Sequence, residues 1–306
     1  MIKKIIPVFF SVLLAAVAMG QDSAMVIGKK TITLSEVVVN NKLNVPAFID
    51  RVKNDTTFYK AFKNLRILNY IAINDVRMLD KSGGNRATMH SKIHQIRDSN
   101  CRRMETLEQQ STGDFYTTDS GYNYYTAQMY ASLFFTIGLV CGEDNIVAGD
   151  AFNTSGKSGL EKHKEQLKIL FFNPGKKITG IPFVSGKTAI YEDDMAELYD
   201  ISVDMDEYNK TSCYILRQKV KRGKEDKVVV DEMTTWFNDK TFEVVARNYN
   251  LRYDAGVYDF DVQMEVQMTH AGNYLVPALI KYNGNWKAIF KKRERGVFTA
   301  TLFDFK

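Results

Sequence analysis

The amino-acid sequence predicts an α+β fold: an antiparallel, partly closed β-meander, in effect a half-barrel, packed with a few helices. Three observations predict it. Residues 258–270 alternate Tyr258, Phe260, Val262, Met264, Val266 and Met268 with Asp259, Asp261, Gln263, Glu265 and Gln267, a strand with one apolar and one wet face. About eight strand-like runs follow one another between short turns across residues 187–306, the last at 297–305. Helical periodicity is concentrated in residues 45–180, so helices come first and cover a sheet that comes later.

Lys3 and Lys4, the apolar run Ile5 to Val17 and the small residues of Ala18-Met19-Gly20 read as a signal peptide over residues 1–20, with the mature chain expected from about Gln21. Gln21, Asp22 and Ser23 follow at once, so no transmembrane anchor is expected after processing. No cysteine lies near the cleavage point, which argues against a lipoprotein anchor. Residues 21–44 form an N-terminal arm with a β-prone run, Leu34 to Val39, and residues 45–306 a single α+β domain, helix- and hairpin-rich over 45–180 and a β-meander over 187–306. Pro46, Phe48, Ile49 and Val52, then Phe58, Phe62 and Leu65, carry the first helical pattern. The turn cluster Lys81-Ser82-Gly83-Gly84-Asn85 fits a hairpin joining 70–78 to 87–97, although Met89, Ile93 and Ile96 also satisfy helical spacing.

Residues 120–142 contain no charged side chain, and Tyr125, Met129, Leu133, Phe134 and Ile137 recur at helical intervals behind a cap at Asp119 or Ser120. Asn123, Gln128 and the tyrosines make the segment too polar for a membrane span, so a helix buried in the core is expected over 122–140. A second helix runs from Ser158 to Phe172 and stops at Asn173-Pro174-Gly175. Asn283-Gly284 reads as a two-residue hairpin turn.

The formal charge is +5, and removing Lys3 and Lys4 leaves 5 − 2 = +3, which does not suit a nucleic-acid partner. Of the three cysteines, Cys213 lies in a strand-like run and is expected to be a buried free thiol. Cys101 and Cys141 each end an element; a bridge between them is expected, with two unpaired buried thiols as the alternative.

Residues that could carry chemistry are few. Ala151-Phe-Asn-Thr-Ser-Gly156-Lys157-Ser158 meets only the permissive form of a phosphate loop. His90 and His94 would share a metal on a helix, but on a strand they lie roughly 13 Å apart and cannot. Acid pairs such as Asp193-Asp194 and Asp204 with Asp206 could do acid–base work only if brought together across a cleft. No nucleophile elbow occurs, so neither catalytic residues, a metal site nor a cofactor is expected. What remains is an apolar set, Phe260, Met264 and Met268 with Trp236, Trp286 and Phe290, whose rings and thioethers suit a concave cavity for an apolar ligand.

The runs Leu34-Ser-Glu-Val-Val-Val39, Pro46-Ala-Phe-Ile-Asp-Arg-Val52, Phe171-Phe-Asn-Pro-Gly175, Thr235-Trp-Phe237, Arg247-Asn-Tyr249, Tyr258-Asp-Phe-Asp-Val262 and Lys291-Lys-Arg-Glu294 together resemble uncharacterised exported proteins of the Bacteroidota cell envelope. The first run is similar to the hinge after a carboxypeptidase-type regulatory domain. The order of elements is similar to that of LolA-like lipoprotein carriers, whose half-open barrel is closed by helices over an apolar cavity. That resemblance implies a non-enzymatic binding protein of the periplasm or outer-membrane periphery, holding a lipid or a lipoprotein acyl chain. The alternatives are an envelope glycan hydrolase working through loop carboxylates and a structural partner of an outer-membrane protein complex.

Overall fold

The structure, a computed structural model, describes residues 23–147, 170–177, 186–254, 258–288 and 292–306. Among them are thirteen strands in one sheet that does not close on itself. In chain order these are β1 (Ser23–Ile27), β2 (Lys30–Leu34), β3 (Tyr70–Leu79), β4 (Asn85–Asp98), β5 (Cys101–Gly113), β6 (Val140–Cys141), β7 (Tyr199–Tyr208), β8 (Thr211–Val220), β9 (Val230–Asn238), β10 (Val244–Asp254), β11 (Tyr258–Ala271), β12 (Tyr274–Ala288) and β13 (Glu294–Phe303). They stand side by side as β1-β2-β7-β8-β9-β10-β11-β12-β13-β3-β4-β5-β6. Every pairing is antiparallel except that of β2 with β7. The helices are α1 (Glu36–Asn40), α2 (Val45–Asn54), α3 (Thr57–Asn64), α4 (Tyr125–Phe134) and α5 (Asp193–Ala196), with residues 170–172 also helical. The architecture is thus the expected α+β half-barrel.

Because side chains alternate between faces along each strand, the register sorts inner-face residues into rows that cross the sheet. One row runs Gln218, Met233, Tyr249, Met264, Tyr282, Phe298, Val76, Met89 through successive direct pairs from β8 to β4. The next row on one side runs Leu216, Thr235, Arg247, Val266, Ile280, Ala300, Asn74, Ser91. The next on the other side, from Leu251 through Val262, Gly284, Gly296 and Met78 to Ala87, is small in its middle.

The helices pack into this concave face. On α2, Phe48 meets Tyr214 and Phe237, with ring centroids 5.9 and 5.3 Å away. On α3, Phe58 and Phe62 point at β10–β12, and the Asn64 side chain donates to the Leu275 carbonyl at 2.8 Å. The start of α4 comes so close to the sheet that a Cβ added at Gly296 would stand 3.0 Å from Thr126 Cγ2.

Four expectations need correction. Only Leu34 of the β-prone run 34–39 is in a strand; Ser35 ends β2, and the valines form the single turn α1, burying Val38 and exposing Val37 and Val39. The uncharged segment 120–142 yields only the ten residues of α4. Its second half leaves the core: Gly138 takes φ +68, and Ile137 and Leu139 are 84% and 68% exposed. Among the described residues no helix is long and apolar enough to cross a membrane. Residues 187–306 supply seven strands, β7 to β13, rather than about eight.

The fourth correction concerns Asn283-Gly284, which is not a turn. β12 runs straight through it, Gly284 pairing with Val262 and Gly296, while the β11–β12 hairpin turns at Gly272 and Asn273. Glycine is required at 284 for space. Tyr282 folds along its own strand so that its hydroxyl accepts from Trp286 Nε1, and it occupies the place of a Cβ on residue 284. By contrast, β4 is a strand as expected, its hairpin with β3 closed by Asp80, whose carboxylate accepts from the backbone of Ser82 and Gly84. Of the helix expected over 158–172, only the end lies within the described residues, and it stops at the turn Asn173-Pro174-Gly175. The candidate phosphate loop at 151–158 lies outside them.

Gly284→Ala is therefore expected to destabilise by about 1–3 kcal/mol, as overpacking does. A denaturant-unfolding midpoint equal to that of the unsubstituted protein would contradict the crowding.

Candidate functional site

The inner-face row through Met264, Tyr282 and Phe298 lies beneath α4 and residues 170–172. From α4 come Met129, Leu133 and Phe134, and from the helix end Phe171 and Phe172; together these eight residues border an apolar seam. Tyr282 stacks on Phe298 at 4.4 Å, Phe171 reaches Tyr282 at 6.0 Å, and Phe134 lies 6.1 Å from Phe298. The gaps between these side chains amount to about 210 Å³, counting the solvent at their mouth, and no part of them is wide enough for a water molecule. Among the described residues the seam is thus a closed contact between two apolar surfaces.

Of the residues singled out in the sequence, Met264 lines the seam. Phe260 and Trp286 are buried beside it, stacked on each other at 4.7 Å, and Trp286 lies 6.0 Å from Phe171. Met268 is only half-buried, because a bulge between Gln267 and Met268 shifts the register and leaves it at the rim. Trp236 is not part of this set. Its neighbours Thr235 and Phe237 point inward, so Trp236 lies on the outer face, against Tyr208 at 5.1 Å. Phe290 lies outside the described residues. The seam residues that the apolar set lacked are Tyr282 on β12, Phe298 on β13, Met129, Leu133 and Phe134 on α4, and Phe171 and Phe172.

Two polar devices hold α4 in place. Its first backbone N–H groups, Tyr125 and Thr126, donate to the two oxygens of Glu294 on β13 at 3.0 and 2.8 Å, a carboxylate at the positive end of the helix. In its middle, Tyr130 donates from its hydroxyl to Asn74 on β3 at 2.5 Å. Beyond its last turn Arg102 binds Thr136 and Glu143, and Cys101 is bonded to Cys141 with Cα atoms 4.0 Å apart. Cys213 is unbonded and buried on β8, its thiol pushed up to about 11 by burial.

Beside the seam lies a buried cation. Arg247, one position along β10 from the seam's row, is 4% exposed. Its Nε donates to Thr235 at 3.0 Å, and its guanidinium lies 4.2 Å from the centre of the Phe58 ring. No carboxylate among the described residues pairs with it. Two residues further on, Tyr249 donates its hydroxyl to the carbonyl of Phe171, joining Arg247's strand to the seam.

The acids do not converge in this way. Asp193 and Asp194 lie on α5 and form ion pairs with Lys30 and Lys29, while Asp204 pairs with Arg217. No acid borders the seam, and the hydrolase alternative gains no support from this placement. His90 and His94 lie on β4, and no cluster of three or more metal-binding side chains occurs among the described residues.

No protein-family model matches the chain, and no curated protein matches it in sequence. Solved structures similar to it include a domain from Vibrio parahaemolyticus named for outer membrane lipoprotein sorting, 9% identical, covering 80% of this chain and 88% of its own, with a TM-score of 0.28. A DUF1329 family protein from Desulfovibrio piger is 10% identical, covers 86% and 92%, and has a TM-score of 0.27. A LolA superfamily protein from Nitrosomonas europaea is 10% identical, covers 82% and 91%, and has a TM-score of 0.25. Likeness at this level does not assign a function.

Two predictions follow from the packing. Burial drives the phenols of Tyr70 and Tyr191 up to about 12, and those of Tyr130, Tyr249 and Tyr282 upward as well. A folded-state value above the unfolded value of about 10 means that the stabilisation is complete below about pH 10 and lost as pH rises through 12. Denaturant midpoints should therefore be flat from neutral pH to about 9 and collapse between 10 and 12, with phenolate absorbance appearing together with unfolding. If the tyrosines instead ionise near pH 10 with structure intact, the interior is not dry. Separately, the Cys101–Cys141 bond closes a loop of sequence separation 40. Its reduction should cost about 4 kcal/mol by loop entropy. Non-reduced peptide mapping that finds three alkylatable thiols would show the bond absent.

Proposed function

We propose that the protein is a non-enzymatic carrier or receptor for an apolar ligand, a lipid or an acyl chain, received between α4 and the concave face of the sheet. The observation that carries this reading is the seam itself, where eight apolar or aromatic side chains from the sheet, α4 and residues 170–172 meet without hydrogen-bonding to one another across the gap. Ligand pockets measure roughly 300–1,000 Å³, so the closed seam must widen, and Met129 and Met264 provide unbranched side chains that can rearrange. In this reading α4 moves away from the sheet to admit the chain. The N-terminal signal-peptide pattern supports a location in the periplasm or at the outer-membrane periphery.

One observation favours a second reading, an interaction module of an outer-membrane complex: Ile137, Leu139 and Ile146, between α4 and the strands, are 84%, 68% and 60% exposed. Exposed apolar groups clustered in sequence suit a protein partner. The same experiment separates the two. Protein purified from its native envelope and analysed by native mass spectrometry should carry extra mass that organic extraction removes, and the stripped protein should take up a fluorescent acyl chain. Leu133→Asp, at the half-buried mouth of the seam, should leave the fold intact and reduce uptake at least about tenfold, since an unpaired charge there costs more than about 1.4 kcal/mol. No bound mass, together with no uptake, would leave the interaction module as the better reading.

A further inference from the structure

Among the described residues the interior of the half-barrel holds a cation with no counter-charge. Arg247 occupies an inner-face position, in direct register with Thr235 and Val266, and is 4% exposed. Its guanidinium offers five N–H groups in a planar fork. Thr235 Oγ1 accepts the Nε–H, and Phe58 lies against the guanidinium with the ring centre 4.2 Å away. Among the described residues the N–H groups at the outer end of the fork have no acceptor, and no carboxylate stands in ion-pair range. The fork is therefore left with only the little water that reaches it at 4% exposure, and an arginine cannot escape by giving up its proton. The π-face of Phe58 interacts with the flat of the guanidinium and leaves the donor edge open.

Position turns this open edge into a recognition element. Arg247 and Tyr249 are two residues apart on the same face of β10, roughly 7 Å along the strand. Tyr249 pairs directly with Met264 and holds the Phe171 carbonyl, both part of the seam. On the helix side, Phe58 contacts Phe62 at 5.5 Å, and Phe62 contacts Phe172 at 4.4 Å. A ligand lying in the widened seam would thus have its end within reach of the fork.

We infer that Arg247 is the head-group receptor of this site, and that the ligand is an amphiphile whose apolar chain ends in an oxyanion, a carboxylate or a phosphate. The inference rests on the apolar-ligand reading and specifies its chemistry: an oxyanion accepts two parallel N–H bonds from the fork, which a neutral hydroxyl cannot do.

The test uses the full mature chain, stripped of bound lipid, titrated below their aggregation limits with palmitate, hexadecyl phosphate and the neutral hexadecanol. At least one anionic probe should bind about tenfold or more tightly than hexadecanol, the worth of a charge-assisted pair over a neutral contact. Whichever anion binds more tightly names the head group. In Arg247→Met this preference should vanish while hexadecanol binding stays within about twofold. The ligand-free variant should still unfold cooperatively, because an unbranched apolar side chain can take the place of the arginine stem against Phe58. If Arg247→Met does not fold, Arg247→Lys, which keeps the charge but loses the fork, should still bind hexadecanol and lose most of the anion preference. Equal binding of all three probes by the unsubstituted protein would overturn the head-group receptor and leave the apolar carrier standing. Binding of none would overturn both. An anion preference that survives Arg247→Met would place the receptor elsewhere and overturn the assignment.

Discussion

A thirteen-stranded sheet that ends in two separate edges has a concave face that no further strand can fill. Covering that face is the constraint on which the rest of the molecule depends. Each strand sends every second side chain inward, and the rows these form are tens of ångströms of apolar surface that would otherwise meet water. The chain covers them with elements that precede β7: α2 across β8 and β9, α3 across β10 to β12, and α4 with residues 170–172 across β12, β13 and β3. Gly296 lowers the floor where α4 comes closest, and its register partner Gly284 makes room for Tyr282.

The cover is attached unevenly. α2 and α3 are packed by rings, as when Phe48 fits among Tyr214, Phe237 and Phe242, and such contacts are lost only by exposing large apolar area. α4 meets the seam through side chains too, but its position is specified by polar bonds at a few points: Glu294 at its start, Asn74 at its middle and the Arg102 group beyond its end. The bond from Tyr130 to Asn74 is itself buried and the Tyr130 ring lies 4.2 Å from Phe298, so lifting α4 exposes a large ring as well as exchanging these polar bonds for water.

Much of this could be read from the sequence, and the failures have physical causes. The alternation from Phe260 to Val266 placed β11 and its buried face correctly, because a period of two is unambiguous when polar residues fill the other parity. Asn283-Gly284 misled because a turn glycine and a close-packing glycine look alike locally. The distinguishing signal was Tyr282 and Trp286 at equal parity on either side, large residues that share a face and need a gap between them. Trp236 was assigned by residue type alone, whereas the parity of Thr235 and Phe237 turns it outward. The end of α4 was overrun because absence of charge was read as continuity of helix, although Gly138 within the run permits the chain to turn away. Arg247 entered the reading only as part of a resemblance. Yet Tyr249, Leu251 and Tyr253 share its parity on β10, which is enough to place an arginine indoors.

That parity also explains why the cation and the cover belong to one design. A sheet row built only of Leu216, Val266, Ile280 and Ala300 would seal against α3 without any polar atom, and Met at position 247 would complete it at no electrostatic cost. Arginine there leaves the strand's hydrogen bonds untouched, since its backbone pairs with Thr235 and Val266 like any other residue, but it brings N–H donors that the row does not satisfy. An anion that reached those donors would gain a charge-assisted pair, and that gain is largest where little water competes. The same packed rings that keep water out of the seam thus give Arg247 its leverage.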